Sequence, residues 1–85
     1  REAMNERAET PQRLDLRGLD PPEPMRRALE AVESLAAGKP MEIITDREPL
    51  LLYRELGRRG HSYVAERRSD GFFTTIRRAQ KRGAA

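Results

Sequence analysis

Six charged residues stand just beyond two short apolar runs, and that placement decides what chemistry the chain offers. Arg17, Asp20 and Glu23 follow the Leu14 to Leu16 run, and Asp46, Arg47 and Glu48 follow Met41 to Thr45. If both runs are parallel strands, their carboxyl ends lie together at one sheet edge, beside helix N-termini, where open α/β sheets hold ligands. The residues would then form a polar recognition corner, with the arginines suited to a carboxylate or another anion. A plainer alternative is that Asp15, Asp46 and Glu48 cap and brace turns while Arg17 and Arg47 screen them. Catalysis has less support. Ser34, Ser62 and Ser69 belong to no triad-like pattern, no glycine-rich phosphate loop is present, and acid/base work by carboxylates needs a pocket that splits their pKa values. The sole histidine, His61, follows Arg58-Arg59-Gly60, so a metal site there would need carboxylates for all its other ligands. A structural or solvent-exposed histidine is the simpler expectation. With no cysteine in the chain, disulfides, thiolate metal sites and thiol redox switching fall away together. The sequence therefore assigns no catalytic residue, no metal and no cofactor, and a non-enzyme is expected.

The elements that must position this corner follow from periodicity and punctuation. Gln12 to Leu16 reads as a strand with Leu14 and Leu16 on one face, and Gly18 supplies the turn. Pro21, Pro22 and Pro24 sit where a helix begins and no amide donors are needed, with Glu23 at the positive end of its dipole. Met25, Leu29, Val32 and Leu35, with Ala28 and Ala36, make an apolar stripe that ends at Gly38, ahead of Pro40. Leu29, Val32, Leu35, Ile43 and Leu56 are expected in the core. Met41 to Thr45 is the second strand, parallel to the first through a right-handed crossover. Asp46-Arg47-Glu48-Pro49 opens a second helix, with Asp46 or Glu48 able to cap it. Leu52, Tyr53 and Leu56 form its buried side, with Leu50 beside them, and Gly57 and Gly60 weaken and end it. His61 to Arg67 and Phe72 to Arg78 pair as a hairpin around Ser69-Asp70-Gly71. The expected fold is α/β (α+β): a two-layer sandwich of order βαβαββ, with a four-stranded mixed sheet and two helices on one face.

Residues 1–11 are rich in charge and poor in large apolar groups, and are expected to be a flexible tail. Residues 12–78 are expected to be one domain, and 79–85 a flexible basic tail. A chain of 85 residues buries a modest single core. An opening at Arg1 rather than Met is expected of a trimmed chain or part of a longer one. No apolar run is long enough to span a bilayer and the start has no signal-peptide character, so a cytoplasmic location is expected. Charge is uneven: residues 1–50 hold eight Lys/Arg against eleven Asp/Glu, and residues 51–85 nine against three. The basic half could attract phosphates or an acidic surface, or be no more than a solvated face, since it lacks the aromatic platforms of single-strand binders.

Residues Leu14 to Pro24, LDLRGLDPPEP, resemble the signature of the TusA/SirA sulfur-carrier proteins: a leucine-aspartate opening at Leu14-Asp15, a Gly-Leu pair at Gly18-Leu19, and Cys-Pro-x-Pro, matched here by Pro21-Pro22-Glu23-Pro24. Pro21 stands where that signature carries its persulfide cysteine, so the resemblance implies the carrier scaffold without its chemistry. The chain is more similar to a cysteine-less SirA-like family of unknown function, over Leu14 to about Arg78. That resemblance implies an accessory domain, sometimes joined to redox-associated domains.

The expected function is a non-catalytic interaction or small-ligand-binding module, with a protein partner or neighbouring domain; the alternative is nucleic-acid binding through the basic half, and no membrane partner is expected. Because Phe72 and Phe73 alternate across a strand, one must face away from the helices, and Tyr63 is expected to join Phe73 in an apolar interface on the open face.

Overall fold

Alternation in the strands and a 3.6-residue stripe in the helices meet at one core. The computed structural model describes residues 12–80. Its elements are β1 (Gln12–Asp15), α1 (Glu23–Glu33), β2 (Pro40–Thr45), α2 (Leu50–Arg58), β3 (Ser62–Arg68) and β4 (Gly71–Arg77). The sheet order is β1-β2-β4-β3, with β1 parallel to β2 and both β2 and β3 antiparallel to β4. This is the expected βαβαββ sandwich with a mixed four-stranded sheet. Leu16, Met41, Ile43 and Ile76 from the sheet side meet Ala28 and Val32 of α1 and Leu52 and Leu56 of α2, all nearly or wholly inaccessible.

Several local expectations need correction. The helix α1 ends at Glu33, not near Gly38, and buries Ala28 and Val32, while Leu29 and Leu35 are only half-buried against the core. Its last carbonyl is claimed from afar, since the Arg78 guanidinium donates to the Glu33 carbonyl oxygen and to that of Leu35 just past the helix. A helix leaves such a carbonyl unpaired at its end, so a cation there both bonds it and complements the dipole. In α2 no side chain caps the N-terminus, and Asp46 is used elsewhere. The C-terminus of α2 closes as a Schellman turn: Gly60, at φ +85°, gives its N–H to the Gly57 carbonyl, and His61 gives its N–H to that of Leu56.

The chain leaving β4 is fastened as far as Ala79, within the segment expected as a tail, through its N–H to His61 Nδ1. The expected tail at residues 1–11 and the remainder at 81–85 lie outside the described residues. Among those described, no helix is long and apolar enough to cross a membrane.

Candidate functional site

The loops after β1 and β2 are tied together by one short bond. Leu16 extends the parallel ladder by giving its N–H to the Ile44 carbonyl at 2.8 Å, and Gly18, at φ +83°, then turns the chain so that its N–H reaches Asp46 Oδ2 at 2.6 Å. The Thr45 hydroxyl donates to the Arg47 carbonyl at 2.7 Å and bends the second loop toward α2. Between the two loops and the first turns of both helices lies an open cleft of about 880 Å³. Leu16, Leu19, Met25 and Leu52 supply apolar lining, prolines 21, 22, 24 and 49 stiffen the walls, and Leu50 and Leu51 project at 65% and 67% exposure. Asp20, Asp46, Arg47 and Glu48 provide its polar groups.

Four of the six expected corner residues are thus brought together, and two are not. Arg17 lies next to the buried Leu16 on an alternating backbone and turns the other way. It grips Asp15 through two bonds, at 2.9 and 2.7 Å, and reaches the Asp70 carbonyl oxygen at 3.1 Å in the hairpin turn. The guanidinium holds the Asp15 carboxyl down at about 2. Glu23 lies along α1, bonded to Arg26 and Arg27, and they likewise hold it at about 2. With Arg17 turned away, the cleft lining holds three carboxylates and one arginine, and Arg17 remains near enough for Asp46 to stabilise its charge.

Those carboxylates differ from the rest of the molecule. Asp15, Glu23, Glu30, Glu33, Glu42, Glu55, Glu66 and Asp70 each pair with a basic side chain. Asp20, Asp46 and Glu48 are the remaining described acids, and none has an ion-pair partner among the described residues.

The expected interface of Tyr63 with Phe73 does not form, because register puts them on opposite faces. Tyr63 is opposite Ile76 on the helix side, where its ring stacks on Tyr53 of α2 with centroids 4.7 Å apart. Phe73 is opposite Ile44 on the open side and is only 7% exposed, with the Arg68 guanidinium 4.1 Å from its ring centroid. Arg68 is itself bonded to Glu66 at 3.0 Å, and Arg13 to Glu42 at 2.7 Å, so charged pairs cover much of this face. Val64 remains exposed on it.

His61 is buried, with both ring nitrogens engaged. Nδ1 accepts the Ala79 N–H at 2.9 Å, which leaves Nε2 to donate to Glu33 Oε2 at 3.1 Å. Arg59 and Arg78 also reach Glu33, and its carboxyl lies below the usual range chiefly because of the His61 bond. This cluster joins the end of α1, the end of α2 and the chain after β4, a structural role. Its members Glu33 and Arg78 gave no sequence signal, since they meet only through tertiary packing. Among the described residues no group of three His, Asp or Glu is placed to hold a metal ion.

Comparison with known families gives one match. The model of an uncharacterized conserved protein family, DUF2249, covers residues 13–78, nearly the whole described region, and the chain belongs to that family. A search of the curated proteins returns no match.

Proposed function

We propose that this domain is a non-catalytic binding module that works through the cleft at the carboxyl ends of β1 and β2, on a scaffold related to the SirA/TusA carriers. The observation that carries this reading is the cleft itself: an apolar recess at a sheet edge favoured for ligands, with two leucines held out in solvent. Its volume of about 880 Å³ is within the range of ligand sites. Pro21 is in the wall of the cleft, where the resembled carriers display a cysteine, so retained geometry would mean a site that binds without transferring sulfur. The basic half favours nucleic acid less than its composition suggests, because Arg58, Arg59, Arg68 and Arg78 are each paired with a carboxylate of the same chain.

The test is amide mapping of the isotope-labelled chain with a mixed set of small apolar amines, carboxylates and neutral aromatics. Binding should shift Leu19, Asp20, Met25 and residues 50–52 together. A cleft silent both to this set and to short apolar peptides overturns the reading. The scaffold relation has its own test: Pro21→Cys should place a thiol beside the α1 N-terminus with a pKa below the free value of about 8.5, read from its alkylation rate against pH. An ordinary thiol would count against the carrier geometry.

A further inference from the structure

We infer that the occupant of this cleft is a polypeptide segment presenting apolar side chains beside lysine or arginine. The inference rests on the cleft being a binding site at all, and adds the chemistry of what fills it. Two independent observations converge on it. The first is ionic: Asp20, Asp46 and Glu48, the three acids left without an ion-pair partner among the described residues, all line this cleft, where Arg47 is the lining cation and Arg17, outside the lining, still attracts Asp46. Every other described acid has an arginine of the chain within ion-pair reach. The lining holds more carboxylates than cations, and this excess favours a cationic partner over an anionic one against the opposing pull of the two helix N-termini. Asp46 keeps Oδ1 available after Oδ2 accepts the Gly18 N–H.

The second observation is shape. Leu50 and Leu51 are adjacent in the first turn of α2 and stand about two-thirds exposed at the mouth, above apolar lining from Leu19, Met25 and Leu52. A small molecule is usually enclosed on most sides by its site, whereas an open cleft with projecting leucines offers surface that a chain of side chains can cover. Apolar contact would supply affinity, and the carboxylates orientation and choice of partner.

The experiment uses three blocked hexapeptides titrated into the isotope-labelled protein at low salt. One reads Lys-Leu-Leu-Lys-Leu-Lys, the second has glutamate for every lysine, and the third has serine for every leucine. The first should shift the amides of Leu19, Asp20, Met25 and residues 50–52, and bind at least about fivefold more tightly than the second. The serine peptide should leave those amides in place. Asp20→Asn with Glu48→Gln should bring the basic and acidic peptides level, and Leu50→Ser with Leu51→Ser should abolish the shifts while spectral dispersion shows an intact fold. If the acidic peptide binds the same amides as tightly as the basic one, the charge assignment is overturned and the cleft remains a site. If no peptide moves them, or the basic peptide moves only residues of β3 and β4, the polypeptide occupant is overturned. The small-molecule mapping then decides separately whether the cleft binds anything.

Discussion

Gly71 is the position where one methyl group would be felt most sharply. It enters β4 at φ +146°, and a Cβ there would lie 2.8 Å from the Thr45 carbonyl oxygen, which is backbone of the neighbouring strand and cannot swing aside. Gly71→Ala should therefore cost about 1–3 kcal/mol, seen as a lower urea midpoint; an unchanged midpoint would show that β2 and β4 can part locally at no cost. The same scale governs the response to acid. Asp15, Glu23 and Glu55 are each held at about 2 by arginine partners, against ordinary values of 3.8 and 4.5. Their folded pKa values are depressed, so their contribution is present above the ordinary values and is lost as pH falls from about 4.5 toward 2. Urea midpoints should decline through that window, and less steeply in high salt, because these groups are exposed and screened. A flat profile there would mean that the ion pairs contribute nothing to folding.

Among elements, α2 carries the most buried leucine and α1 depends most on distant help. Leu56 is wholly inaccessible, and Leu56→Ala should cost about 2–5 kcal/mol, whereas Leu29→Ala should cost clearly less because Leu29 is only half-buried. Equal losses would show that α1 is seated deeper than its exposure indicates. Arg78→Ala should fray the last turn of α1, with faster amide exchange at Ser34 and Leu35 than at Leu56. Such dependence on a distant residue also marks the limit of what could be read in advance. Strand, proline-rich start, apolar stripe and glycine stop are local signals, so element order and parallel pairing were legible. The end of α1 was not, because its last carbonyl is satisfied by a residue more than forty positions away. Arg17 is held chiefly by Asp15, the local pairing that the plainer alternative offered, and only its second partner, Asp70, arrives with the hairpin turn. Tyr63 and Phe73 were grouped by residue type, and the register of β3 on β4 separates them. The shared edge at the ends of β1 and β2 was legible, but the cleft there and its excess of carboxylates emerge only from the folded chain.

At the scale of the whole molecule, the sheet is held together through its centre. Among the described residues β4 is the only strand joined to both β2 and β3, so the β1–β2 pair and β3 share no ladder without it. Cutting the chain after Asp70 should remove cooperative unfolding altogether, not merely lower its midpoint, as read by circular dichroism against urea; a truncated chain with a sharp transition would show that the helices and β1–β2 suffice. β4 is also the last of the described strands in chain order, and this sets when the sheet can close during synthesis. A growing chain still waiting for residues 71–77 has made both helices and three strands, yet has no strand that can join β3 to the β1–β2 ladder. Folding is thereby deferred until β4 has emerged from the ribosome, and the nascent domain should gain protease resistance in a single late step and not helix by helix.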